Sequence, residues 1–324
     1  MANNTINGKA FEYACLKQIE ERIKDSLFSV EVEKTKPFKT AQQAYEKLSV
    51  EEKPLYDNAA KTGVKIVFGL EPNLSSNDRE YILSIASDRD AQGENGDVRD
   101  VLVKSKDGKW EVGFSCKHNH EALKHPRITS DYNFGKNWIG ISCSDDFLSE
   151  MRKIMAPIEE YSKDNVLWRN VTNKEQFYVQ VLEAYMKEIE SLCKRDKRLP
   201  AKLMSYWFGA NDFYKIIMEQ SNENTKIEAF NIKNTLGRSY NNVRPAAKVP
   251  RLNYPNRLIH IERKISDSGV LSNTTLILYF DKGWTVSLRL HNKDLEATPT
   301  SLAWDVNLEG LPLTAYINTR GWKE

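Results

Sequence analysis

The chain has 324 residues, enough for one large or two modest domains with a full core. Hydrophobic residues make up 40% and charged residues 28%, an ordinary globular composition, and a net charge of +2 excludes a simple polycation. No apolar run approaches the ~18–20 residues of a transmembrane helix, the N-terminus has no basic-then-apolar signal pattern, and Cys15, Cys116, Cys143 and Cys193 show no CxxC spacing, which together predict a cytoplasmic protein with reduced thiols and no membrane association.

In chain order, Phe11, Cys15, Ile19 and Ile23 recur at helical spacing and predict a helix over about residues 7–28. A second helical stretch covers roughly residues 41–60, and Ser49 with Glu52 has the spacing of a capping box that would break it in two. Asn77-Asp78 predicts the start of a short helix through Ile82 and Ile85. A hairpin follows, residues 96–103 returning as 110–117, with Asp107-Gly108 predicted as a two-residue turn with positive φ at both positions. Residues 118–137 read as loop, 138–142 as a strand, and Ser144 as the cap of a helix to about Tyr161. Helices are expected over Lys174–Cys193 and from about Pro200 to about Glu219. From Lys226 the pattern changes to strands, at 227–232, 258–263, 274–280, 285–290 and 302–308. This order predicts an α/β protein, a mixed sheet flanked by helices, with a helix-rich part over residues 1–222 and a β-rich part over residues 223–324.

The hairpin carries the chemistry. Counting outwards from Asp107-Gly108 sets Asp100 opposite Ser115, with Lys117 two residues along the same face, while Val101, Val103, Val112, Phe114 and Cys116 collect on the other. A carboxylate and an ammonium on rigid strands suit metal-assisted phosphodiester hydrolysis. The carboxylate holds a hard cation, which lowers the pKa of a bound water, and the lysine positions that water and stabilises developing charge. A solvent-facing ion pair, worth roughly 0–1 kcal/mol, is the plain alternative.

The pattern resembles the PD-(D/E)XK nuclease superfamily, in which an Asp begins one strand and an acid-X-Lys closes the next. More closely, residues 96–101 (GDVRDV) and 114–127 (FSCKHNHEALKHPR), with the opening GKAFEYA at 8–14 and RLHN at 289–292, look like the HaeIII-type restriction endonucleases. The resemblance implies a restriction-endonuclease-like core, Mg2+ as cofactor, double-stranded DNA as substrate cut at a short palindrome with GGCC expected, and a cognate DNA methyltransferase as functional partner. A homodimer is compatible with a palindrome and is not decided by the sequence. One departure stands out: Ser115 occupies the position of the acid in acid-X-Lys. The catalytic set is therefore Asp100, Lys117, Ser115 and Glu12, the last a helix glutamate that the resemblance offers as a replacement carboxylate. The metal set is Asp100 and Glu12 with Asp97, which alternation points to the opposite face, and, by resemblance, the carbonyl of Cys116.

For DNA contact the expected residues are His118, Asn119, His120, Lys124 and Arg127 after the lysine, and Arg289, His291 and Asn292 at the end of a strand. Between Lys226 and Lys264 nine basic residues, Arg238 and Arg244 among them, face two acidic ones, which suits a phosphate-binding surface. His118-Asn119-His120 spells HNH only by accident of letters, and Cys116, His118, His120 and His125 match no common zinc spacing. Neither a P-loop nor a GxSxG elbow nor a GxGxxG fingerprint occurs. The competing readings are a non-catalytic DNA-binding protein on a degenerate nuclease core, for which Ser115 would be the sign, and a repair or structure-specific nuclease.

Overall fold

The computed structural model describes residues 2–26, 29–75, 80–86, 97–119, 124–266 and 268–323, with side chains from residue 6. Helix α1 (Ala2–Asp25) buries Phe11, Cys15, Ile19 and Ile23 along one stripe. Strand β1 (Val30–Val32), helix α2 (Lys36–Glu46) and helix α3 (Glu52–Leu70) follow. Before α3 the capping box is formed: Glu52 N donates to Ser49 Oγ at 3.1 Å, and Ser49 N donates to the Glu52 carboxylate at 2.9 Å. Residues 81–85 are not helical. They form strand β2 (Tyr81–Ile85), burying Tyr81, Leu83 and Ile85 in alternation. The helix start expected at Asn77-Asp78 lies outside the described residues.

Strands β3 (Val101–Ser105) and β4 (Glu111–His118) are the predicted hairpin, in the predicted register, with Val101 opposite Phe114 and Lys104 opposite Glu111. The turn differs from expectation. Only Gly108 has positive φ, at 70°, because the strands are joined by four residues closed by Ser105 and Trp110, and Asp107 braces the loop by accepting from Ser105 Oγ and Lys109 N. The loop is symmetric about Asp107-Gly108, so the register is unchanged.

Residues 134–139, where the expected loop gives way to the expected strand, form a short helix, α4 (Phe134–Ile139). Asn133 caps its start and Gly140, at φ 69°, ends it in the left-handed conformation. Helix α5 (Asp145–Lys163) starts at the Ser144 cap, and α6 (Lys174–Arg195) buries Phe177, Val181, Ala184, Tyr185 and Ile189. Helix α7 (Leu199–Phe208) stops at Gly209, short of the expected Glu219, and the apolar run after it is strand β5 (Phe213–Glu219). Strands β6 (Asn224–Phe230), β7 (Leu258–Ile265), β8 (Leu271–Phe280), β9 (Thr285–Asn292) and β10 (Leu302–Gly310) correspond to the five expected strands, and β11 (Ile317–Gly321) is additional.

The chain divides into two compact units: Met1–Glu121 with Ala210–Leu252 and Thr314–Glu324, and Ala122–Gly209 with Asn253–Leu313. Residue 222, where composition suggests a boundary, lies in the connection between β5 and β6, which pair antiparallel in one sheet of the first unit. That unit is built on a mixed seven-stranded sheet of order β1-β2-β3-β4-β5-β6-β11, parallel at β1–β2 and β4–β5. Helices α1, α2 and α3 bury their apolar stripes against the sheet face carrying Val101, Phe114, Cys116, Ile216 and Ile227. The second unit holds α4 to α7 and an antiparallel sheet of order β10-β9-β8-β7.

Candidate active site

Asp100 immediately precedes β3 and is opposite Ser115, its N–H donating to the Phe114 carbonyl at 2.7 Å. Its Oδ2 accepts three hydrogen bonds: from Cys116 N at 2.8 Å, Lys117 Nζ at 3.1 Å and Ser115 Oγ at 3.2 Å. Ser115 is thus a donor that orients the carboxylate. Burial works against the Lys117 ammonium, but Asp100, and then Glu12, outweigh it and hold its pKa above the ordinary value. Lys117 is therefore a cation throughout the physiological range.

Glu12 reaches the same place from α1, which packs on β4. Its side chain is 9% exposed and pairs with Lys9 at 3.1 Å, one turn away on the same helix. Burial, with the Asp100 charge adding to it, pushes the Glu12 carboxyl up to about 8 against the pull of Lys9 and Lys117. A buried carboxyl beside the Asp100 charge suits a divalent cation, which relieves burial and repulsion together. Magnesium takes one or two carboxylates and completes its shell with water, so Asp100 and Glu12 fit it. Among the described residues no group of three or more His, Cys, Asp or Glu side chains is arranged to hold a metal ion.

The other expected carboxylate ligand, Asp97, is engaged by neighbouring side chains. Asp97 is gripped by Arg99, whose Nε and Nη2 donate to its two oxygens at 2.8 Å and 2.7 Å, and Arg99 N and Asn211 Nδ2 donate to it as well. Arg99 also reaches Glu111, and it lies so close over Gly113 that a Cβ there would stand 2.1 Å from Arg99 Cδ. The Cys116 thiol is buried in the apolar core against Cys15, which together with burial raises its pKa well above the ordinary value. Its backbone N–H serves Asp100.

A charged row continues across the sheet from Ser115. Lys215 on β5 is its register partner, Glu228 on β6 is the partner of Lys215, and the two form a buried ion pair at 3.4 Å. Lys226 also bonds Glu228, at 2.8 Å. Lys9, Lys215 and Glu228 were not readable as site neighbours from hairpin parity, although the three-residue spacing of Lys9 and Glu12 is a usable helical signal.

His118 stacks on Tyr56 of α3, ring centroids 5.0 Å apart, and burial lowers its pKa, so the ring is neutral. Asn119, at φ 49°, exchanges hydrogen bonds with Gln220. His120 lies outside the described residues. In the second unit Lys124 Nζ donates to the Tyr206 carbonyl at 2.9 Å and sits over the Tyr206 ring, while Arg127 forks onto Asp294 at 2.6 and 3.2 Å. Asn292 donates to the Asp294 carbonyl, and Arg289 and His291 surround Asp305 on β10.

The expected basic segment is divided between the units. In the first, Lys233, Arg238, Arg244, Lys248 and Arg251 are exposed on an irregular stretch after β6. That stretch is tied down from beneath. Asn231 bonds Leu236 N, at 3.1 Å, and the Val249 carbonyl, Asp212 accepts from Lys233 N and Thr235 N, and Glu71 accepts from Gly237 N and Tyr214 OH, both at 2.7 Å.

Among the described residues no helix is long and apolar enough to cross a membrane. The profile of the HaeIII restriction endonuclease family matches residues 8–312. The type II restriction enzyme HaeIII of Haemophilus aegyptius is 32% identical over 320 residues, an alignment that covers 98% of each chain. No solved structure matches. With hairpin, helix glutamate and lysine all inside a match of nearly full length, the chain belongs to the HaeIII restriction endonuclease family.

Proposed function

We propose that this site-specific deoxyribonuclease hydrolyses double-stranded DNA at GGCC with Mg2+ held by Asp100 and Glu12. The observation that carries the reading is the Lys117–Asp100 contact at 3.1 Å with Glu12 in electrostatic reach of both, inside a chain of this family. When bound, the cation would lower the pKa of a coordinated water and offset charge on the phosphate. The chain's own groups do the rest. Asp100, oriented by Ser115 Oγ and Cys116 N, holds Lys117 in place. Lys117, kept protonated, donates to a phosphoryl oxygen and stabilises the charge that builds there. A cation cannot act as base, so its role is electrostatic and positional. The exposed arginines and lysines of residues 233–251 hold phosphates, and Arg289 with His291 reads bases. Such an enzyme works in the cytoplasm beside a methyltransferase that protects the same sequence.

Digestion of a sequenced plasmid tests this. Discrete fragments ending at GGCC, dependent on Mg2+, are expected. A smear, uncut DNA or cutting at another sequence would sink the reading.

A further inference from the structure

Strands β9 and β10 pair with Arg289 opposite Asp305. Asp305 is only 4% exposed, yet three partners reach it from more open positions. Its Oδ2 accepts from Arg289 Nη2 at 2.5 Å and Nε at 3.1 Å. Its Oδ1 is 2.6 Å from His125 Nδ1, and His291 Nδ1 stands 3.5 Å from Oδ2. A buried carboxylate is expensive unless such partners satisfy it. Here burial opposes ionisation, and His125 and Arg289 outweigh it, so Asp305 remains an anion.

The consequence falls on Arg289. Its guanidinium has two bidentate edges. Asp305 takes the Nε/Nη2 edge, and Nη1 makes no hydrogen bond among the described residues, while the side chain is 56% exposed. The free Nη1/Nη2 edge is the one that meets guanine O6 and N7 end-on. An unanchored arginine samples many rotamers and loses that freedom on binding, and anchoring removes the loss in advance.

We propose that Asp305 is a positioning residue for specificity: it locks Arg289 so that the Nη1/Nη2 fork is presented to a guanine in the major groove. This rests on the reading of the chain as a DNA-recognising nuclease, but it is tested by binding alone. The full chain is titrated, without Mg2+, against fluorescent duplexes carrying GGCC and duplexes with one guanine replaced by adenine. Asp305→Asn is expected to lower the GGCC preference by about tenfold or more, the size of one bidentate contact, with affinity for the altered duplex nearly unchanged. Arg289→Lys keeps the charge and loses the fork, so it should lose the preference in a folded protein even where Asp305→Asn is unstable. The double variant Asp305→Asn/Arg289→Lys should lose no more than Arg289→Lys alone. Wild-type preference in either single variant, additive losses in the double variant, or a wild type with no preference would overturn the proposal. Failure of plasmid cleavage with the binding preference intact would instead count against the catalytic reading.

Discussion

Glu71 offers a quantitative test of how the basic stretch is anchored. It follows α3, is fully buried, and accepts from Tyr214 OH and Gly237 N through Oε1, while Oε2 makes no hydrogen bond among the described residues. Burial pushes its carboxyl up from the ordinary 4.5 to about 7, and the two donors only partly oppose this. The sign follows from linkage. Below the unfolded value both states carry the proton. Above it the unfolded chain releases the proton and the folded chain keeps it, so folding loses stability until the pH passes the folded value, after which the loss is constant. The interval between 4.5 and about 7 corresponds to about 3 kcal/mol. Glu71→Gln keeps the shape and an accepting Oε1 but cannot ionise. Its stability advantage over wild type should therefore grow from under about 1 kcal/mol near pH 5 to about 3 kcal/mol near pH 8, of the order of 1 M in the urea midpoint. Urea unfolding followed by circular dichroism, both proteins at both pH values, reads this difference directly, because every other titrating group cancels. A difference that does not change with pH would refute the argument that Glu71 holds its proton in the folded state.

Three other outcomes are expected at the site. Lys117→Ala should lower the cleavage rate by about 100-fold to 1,000-fold, the scale of one transition-state donor, while duplex binding in gel shifts stays close to wild type; turnover near wild type would remove Lys117 from the mechanism. Glu12→Gln should weaken Ca2+ or Mg2+ binding by about tenfold or more in calorimetry, since one of two ligand charges is gone, and an unchanged titration would show that Glu12 is no ligand. Gly113→Ala must displace Arg99 from its fork on Asp97 and should destabilise by about 1–3 kcal/mol in urea unfolding, so an unmoved midpoint would contradict the 2.1 Å approach.

What could be read from the sequence depended on whether a residue's partner lay nearby along the chain. The β3–β4 register was legible because alternation and a symmetric loop fix it together, and that alone set Asp100 beside Lys117. The capping box at Ser49 is equally local. β5 was not legible, because a short apolar run looks the same in a buried strand and in a buried helix, and only its parallel pairing with β4 decides. β2 was obscured by the three-residue spacing of Ile82 and Ile85, which mimics a helix. At the site, parity turned Asp97 away from Asp100 but could not show that Arg99 would occupy both its oxygens. Asp305 was invisible for a related reason: both its strands were recognised, but no local signal sets their register across the intervening loop.

The parallel β4–β5 pairing also bears on the order of assembly. All of residues 122–209 are synthesised between the two strands, and β11 of the same sheet follows only after residues 253–313 as well. Until β5 arrives, the strand that carries Lys117 is an open edge whose closure needs a long-range contact, slow to form and prone to pairing with other chains. A nascent chain therefore has Asp100 and Lys117 before the sheet around them is closed. The topology therefore leaves this edge unclosed until residues 122–209 and β5 have been made.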